Sequence, residues 1–251
     1  MTAGLELRGL TKRFGAKLAV DALSLEVPVG SFYGIVGPNG AGKTTTLSMA
    51  TGLLRPDAGT AVVDGVDVWA RPLEAKRMIG TLADGVDLFD RLTGEQLILY
   101  TGMLFGMPRP VVIDRAGDLL ALFDLEGAAG TVVADYSAGM TKKIALACAL
   151  IHSPRVLVLD EPFESVDPVS AANIRDILAG FVRAGGTVVV SSHSMDLVQR
   201  MCDHVAIVAA ARVLVAGTVE EVRGEQTLED RFLDLVGGRR HEEGPEWLRS
   251  F

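Results

Sequence analysis

The chain has few cysteines and no apolar run of membrane-spanning length. It holds two cysteines, Cys148 and Cys202, among 251 residues, and no CxxC spacing joins them. A disulfide scaffold and a cysteine-based metal site are therefore disfavoured. The apolar run at residues 205–211 stops at Arg212, far short of the roughly 20 apolar residues that cross a bilayer. We expect reduced core thiols in a cytoplasmic protein without a membrane span.

Positive charge is also scarce, because 24 Lys and Arg stand against 32 Asp and Glu, for a formal net charge of −8. Nucleic acid is therefore not expected as a partner, since its phosphates favour basic faces. A small anionic ligand remains compatible, because local amides and one lysine can outweigh a distant net charge. Residues 1–8 lack the basic and apolar regions of a signal peptide, which again favours a cytoplasmic location.

The chain does contain the pattern of a folded α/β domain. Three apolar runs predict strands buried on both faces, at residues 32–36, 156–159 and 187–190. Each leads into a predicted helix, which is typical of a parallel sheet flanked by helices. The first sixty-odd residues instead predict short alternating strands, with a hairpin signal at Asp64-Gly65.

In the middle of the chain, the apolar residues recur with helical spacing. Helical periodicity covers three segments, residues 93–105, 110–123 and 136–151. They predict a helical subdomain, at about 86–154, inserted into the α/β core. We expect one domain over residues 1–237 and a charged tail at 238–251, where Trp247 and Phe251 could make a docking contact.

Residues 37–44, Gly-Pro-Asn-Gly-Ala-Gly-Lys-Thr, match the phosphate-loop pattern G-x4-G-K-[ST] between a buried strand and a predicted helix. Its glycines let successive N–H groups point at phosphate oxygens, and the helix start adds partial positive charge. Lys43 is predicted to contact the β- and γ-phosphates, Thr44 to ligate Mg²⁺ and Thr45 to bond the α-phosphate. The predicted nucleotide contacts of the loop are Gly37, Pro38, Asn39, Gly40, Ala41, Gly42, Lys43, Thr44 and Thr45.

Two acids end the second buried strand, where the carboxyl ends of parallel strands lie beside the phosphate loop. Backbone alternation sends the two side chains in different directions. Asp160 is predicted to approach Mg²⁺ through water or through another ligand, and Glu161 to polarise the water that attacks the γ-phosphate. His193 follows the third buried strand and is predicted to hold that water. The predicted catalytic residues are Lys43, Glu161 and His193.

With these residues in order, the chain resembles the nucleotide-binding subunit of ATP-binding-cassette transporters over nearly its whole length. Residues 136–140, Tyr-Ser-Ala-Gly-Met, are similar to the signature loop of that family, which faces the γ-phosphate held by the opposite subunit. By itself the pentapeptide also fits a plain helix N-cap. The resemblance implies nucleotide contacts at Ser137 and Gly139. It also implies a RecA-like P-loop NTPase core with an N-terminal antiparallel β subdomain.

The resemblance also implies roles for further residues. Phe14 matches the aromatic that stacks on adenine, and Asp167 matches the acid of the loop that couples two subunits. Asp84 stands where the family has a glutamine that links the γ-phosphate site to the membrane subunit. A carboxylate accepts hydrogen bonds only, whereas an amide also donates, so Asp84 either points at Mg²⁺ or stays outside the site. Ala138 and Glu164 also depart from the family pattern.

The implied function is that of a Mg²⁺-dependent ATPase that drives transport. It would act beneath a separate integral membrane permease, on the inner face of the cell membrane, with a second cassette subunit as homodimer or heterodimer. Residues 228–233 and the Tyr-Ser-x-Gly-Met signature resemble exporters of drugs, antibiotics or lipids. The alternatives are a non-transport cassette ATPase that clamps DNA or ribosomes, a P-loop kinase, and a regulatory cassette without turnover.

Overall fold

The computed structural model describes residues 3–85 and 88–237. The expected docking contact of Trp247 and Phe251 lies outside the described residues. The strands are β1 Ala3–Phe14, β2 Lys17–Pro28, β3 Phe32–Val36, β4 Ala58–Val63, β5 Val66–Asp67, β6 Ile79–Leu82, β7 Val156–Leu159, β8 Thr187–Ser192, β9 His204–Ala209 and β10 Arg212–Thr218. The α-helices are α1 Lys43–Ala50, α2 Pro72–Met78, α3 Gly94–Leu104, α4 Arg109–Leu122, α5 Ala138–Leu150, α6 Pro168–Arg183, α7 Met195–Met201, α8 Val219–Arg223 and α9 Leu228–Leu235.

Six strands form the central sheet, in the order β10-β9-β3-β8-β7-β6. The pairs from β9 to β6 are parallel, and β10 adds an antiparallel edge. Every residue of β3, β7 and β8 is buried, as continuous apolar runs predict. The prediction for β3 and β7 is confirmed, and β8 runs two serines further because Ser191 and Ser192 pair with Ile35 and Val36.

Four strands within residues 3–67 build a second, antiparallel sheet in the order β2-β1-β4-β5. In β2 the alternating Leu23, Leu25 and Val27 are buried against one apolar cluster. The predicted hairpin between β4 and β5 is confirmed, since Asp64 and Gly65 both have positive φ, 46° and 79°, as a two-residue I′ turn requires.

The predicted helices of the middle segment appear as α3, α4 and α5. The stripe Val112, Ala116, Leu120 and Phe123 is buried in the second apolar cluster, which continues onto β7 and β8. Thr93 begins α3 with a capping box that pairs it with Gln96. The chain thus has the expected α/β core with helices inserted between β6 and β7.

Both cysteines are free thiols packed in this interior. Burial raises the pKa of the Cys148 thiol to about 11, and it also raises the pKa of the Cys202 thiol. A thiol held neutral by burial is a weak nucleophile and packs as a small apolar side chain. In residues 3–85 and 88–237, no helix has both the length and the apolar character to cross a membrane.

Candidate functional site

The phosphate loop joins the buried end of β3 to α1. Gly42 precedes the helix with φ 104°, and a Cβ there would lie 2.4 Å from the Ala19 carbonyl oxygen. At Gly37 a Cβ would lie 2.0 Å from the Val208 carbonyl oxygen. Only glycine fits at both positions, so the sequence pattern here reflects a close backbone approach.

A cavity of about 390 Å³ opens over this loop. It is lined by residues from the antiparallel sheet, from the phosphate loop and the start of α1, from the loop after β6 and from the segments that follow β7 and β8. Its lining residues are Phe14, Lys17, Ala19, Asn39, Gly40, Ala41, Gly42, Lys43, Thr44, Thr45, Asp84, Glu161, Glu164 and His193. The structure therefore brings most of the predicted nucleotide and catalytic residues to one place.

Lys43 lies at the floor of the cavity with a side chain 6% exposed. Its ammonium donates to the carbonyl oxygens of Gly37 at 2.8 Å and Pro38 at 3.4 Å. It also lies 3.6 Å from Glu161 Oε1. A buried ammonium needs such partners, because an unpaired charge in the interior is strongly unfavourable. Gly37 and Pro38 thus contribute carbonyls that hold the lysine in place.

Glu161 has φ 44°, the left-handed region that residues with a Cβ rarely adopt. Such a conformation costs about 1–3 kcal/mol and occurs preferentially at functional sites. Its N–H donates to Ser191 Oγ at 2.9 Å, and its Oε2 lies 3.2 Å from His193 Nδ1. The carboxylate therefore lies between the Lys43 ammonium and the imidazole.

Asp160 lies below the cavity rather than on its wall. It is 3% exposed, and its Oδ1 accepts a short hydrogen bond from Ser191 Oγ. Sequence reasoning missed Ser191, which also accepts from the Glu161 N–H and so fixes both acids. The available signal was a polar residue at the end of an otherwise apolar buried strand.

The oxygen donors at the site fit Mg²⁺. The Thr44 hydroxyl and the exposed Asp84 lie on the cavity wall, and Asp160 lies buried beneath it. Mg²⁺ prefers oxygen ligands and often binds through one or two carboxylates, phosphate oxygens and water. Among the residues that the structure describes, no three His, Cys, Asp or Glu side chains form a metal cluster of their own. A bound phosphate would then supply much of the coordination.

Three predicted contacts lie away from this cavity. Ser137 caps α5 by accepting a hydrogen bond from the Met140 N–H at 3.2 Å. Asp167 caps α6, and hydrogen bonds from Ser170 hold the pKa of that carboxyl below its usual range. A Cβ on Gly139 would lie 3.0 Å from Asp167 Oδ2. Ser137, Gly139 and Asp167 therefore gather at a second position, apart from the phosphate loop of the same chain.

A phosphate loop before α1, an acid-ended central strand and a histidine after the next strand define a P-loop nucleotide-binding protein. The family model described as ABC transporter matches residues 20–164, more than half of the chain. The chain is 37% identical over 222 residues to the daunorubicin/doxorubicin resistance ATP-binding protein DrrA of Streptomyces peucetius, covering 88% of this chain and 67% of that protein. It is also 37% identical over 215 residues to the Nod factor export ATP-binding protein I of Burkholderia lata, covering 86% and 71%. The chain therefore belongs to the ABC transporter family.

A solved structure described as the ATP binding subunit of an ABC transporter has the same fold. It superposes with a TM-score of 0.85 at 26% identity, over 92% of this chain and 99% of that one. The predicted architecture is confirmed, and the chain is the ATP-binding cassette of its family. The alternative of a macromolecular clamp is not favoured by relatives of this kind.

Proposed function

We propose that this cassette hydrolyses Mg-ATP and that hydrolysis drives export through a separate membrane subunit. The observation that carries the proposal is the position of Glu161 between Lys43 and His193, over the phosphate loop. Phosphoryl transfer depends chiefly on positioning and on neutralising charge. An acid, a buried ammonium and an imidazole in one cavity supply both.

Each side chain has a definite part in this proposal. Loop amides and Lys43 bind the phosphates, and Glu161 accepts a hydrogen bond from the attacking water while His193 holds it. Mg²⁺ held near Thr44 would neutralise developing charge on the phosphate oxygens. Phe14 is 51% exposed beside the cavity, with the Lys12 ammonium 5.9 Å from its ring. A base could stack on its free face.

A groove next to the nucleotide cavity suits the membrane partner. It has a volume of about 440 Å³ and lies between β6 and the helices α3 and α5. Gly85 and Leu88 line it, while the neighbouring Asp84 lines the nucleotide cavity. Near it along the chain, Phe89 and Met103 are exposed apolar side chains. The loop after β6 thus touches both sites, which supports a role in coupling.

Export is supported by what the relatives are called, since one is a drug-resistance protein and another a Nod factor exporter. We infer a drug, antibiotic or lipid as cargo, and a location at the inner face of the membrane. A second cassette, identical or different, would complete each ATP site with Ser137 and Gly139.

The experiment is reconstitution of the cassette with its membrane subunit in vesicles. Phosphate release from Mg-ATP should accompany movement of the transported molecule, and Glu161→Gln should abolish both while ATP still binds. Omitting Mg²⁺ should stop turnover. Hydrolysis that no membrane subunit alters would contradict coupling to transport.

A further inference from the structure

Helix α5 carries two adjacent lysines whose ammonium groups lie against different parts of the molecule. Lys143 Nζ lies 3.7 Å from Asp124 Oδ2, within the helical region. Lys142 Nζ instead donates to the backbone carbonyl oxygen of Glu161 at 3.1 Å. That bond joins a helix of the inserted region to the second residue after β7, 19 positions away along the chain.

The backbone of Glu161, which Lys142 contacts through its carbonyl, is held from both sides of the residue. Ser191 accepts from the Glu161 N–H at 2.9 Å, and the Glu164 N–H donates to the Glu161 carbonyl at 3.2 Å. Because Glu161 is in the left-handed region, its conformation persists only where the surroundings fix it. The hydrogen bond from the Lys142 ammonium is charge-assisted, the stronger class of such bonds.

We propose that Lys142 is a positioning residue that fixes the Glu161 peptide, so that hydrolysis depends on how α5 is seated. This inference rests on the proposed ATPase function. The direction of the Glu161 carboxylate follows from its backbone, so an unrestrained peptide would aim the carboxylate away from the attacking water. Lys142 also lines the groove next to the nucleotide cavity. A molecule that shifts α5 there would alter the contact.

The test compares three variants of the full chain. Lys142→Met keeps an unbranched apolar stem but removes the ammonium. Lys142→Arg restores a cationic donor. Arg109→Met is the control, since Arg109 is exposed at the start of α4, lines neither the groove nor the nucleotide cavity, and loses the same charge. The measurements are kcat, KM, the Kd for a fluorescent ATP analogue, and Tm.

We expect Lys142→Met to lower kcat roughly fivefold to tenfold, with KM and Kd within about twofold of wild type. Lys142→Arg should recover most of the lost kcat, and Arg109→Met should match wild type. Should Lys142→Met lower Tm, Lys142→Gln serves as the deciding variant, because its shorter amide donor cannot span the same distance. It should reproduce the fall in kcat at an unchanged Tm.

Three results would overturn the inference. An active wild type whose kcat survives both Lys142→Met and Lys142→Gln would defeat it alone and leave the ATPase function intact. A fall in kcat that Lys142→Arg does not relieve, with an equal loss of ATP affinity, would also defeat it. A wild type that binds the analogue without hydrolysing ATP would defeat the proposed function as well.

Discussion

At the residue scale, the phosphate site is organised around one buried cation. Lys43 satisfies its charge with the carbonyls of Gly37 and Pro38 and with the Glu161 carboxylate. These oxygens are exchangeable for phosphate oxygens, because both are acceptors at hydrogen-bonding distance. The Lys43 ammonium therefore contacts hydrogen-bond-accepting oxygens whether or not a phosphate is bound.

Lys43→Ala should weaken ATP binding by roughly tenfold to a hundredfold. The reason is the loss of a charge-assisted contact of about 1.5–3 kcal/mol with the phosphates. Turnover should fall further if the ammonium tightens on the transition state. Titration with labelled ATP measures the first effect and phosphate release the second. Lys76→Ala, an exposed lysine on α2, serves as the control. Equal affinity in Lys43→Ala and wild type would contradict the phosphate-loop assignment.

At the element scale, the sequence predicts most clearly the strands that are buried on both faces. The bounds of β3 and β7 follow from continuous apolar runs because both faces of these strands are covered. The extension of β8 over its two terminal serines could not be predicted from an apolar run, because it depends on pairing with β3. The links that Ser191 and Lys142 make to Glu161 span 30 and 19 positions. Such contacts depend on packing between elements, which a local pattern does not encode.

The loop after β6 carries Asp84 at the position where the resemblance to the family implies a glutamine. Asp84→Ala should leave the Kd for ATP within about twofold of wild type but change the stimulation of hydrolysis by the membrane subunit. The reason is that Asp84 is exposed at the cavity wall while the next residue lines the partner groove. ATPase assays with and without the reconstituted partner measure the ratio.

Asp84→Gln provides the comparison, because it restores the residue of the family pattern and a group that both donates and accepts. This variant should retain stimulation. An Asp84→Ala cassette whose stimulation equals that of wild type would show that a different residue makes the link.

At the scale of the whole molecule, the predicted site residues lie at two separate positions. Lys43, Glu161 and His193 line the nucleotide cavity, whereas Ser137, Gly139 and Asp167 lie at the start of α5 and α6. A hydroxyl and the free N–H groups of a helix start suit a phosphate. In the family arrangement they meet the phosphate of another subunit. ATP would then bind the two cassettes together.

Glu161→Gln should convert a monomer into a closed dimer in the presence of Mg-ATP. The amide keeps the hydrogen-bonding shape but removes the charge that orients water, so hydrolysis stops and the ATP-bound dimer persists. Light scattering of the purified variant, with and without Mg-ATP, measures the change in mass. Adding Ser137→Ala should weaken the shift, because each γ-phosphate loses one donor from the opposite cassette.

The control for that second change is Thr227→Ala, which removes the hydroxyl cap of α9. Both substitutions destabilise a helix start by about 1 kcal/mol, so a loss of dimer in Ser137→Ala alone reflects the phosphate contact. A Glu161→Gln protein that stays monomeric at saturating Mg-ATP would contradict pairing of identical cassettes. The composite site would still need a second signature loop, which leaves a heterodimer with a different cassette. Mixing the variant with that cassette and repeating the measurement would then separate a heterodimer from a site that works alone.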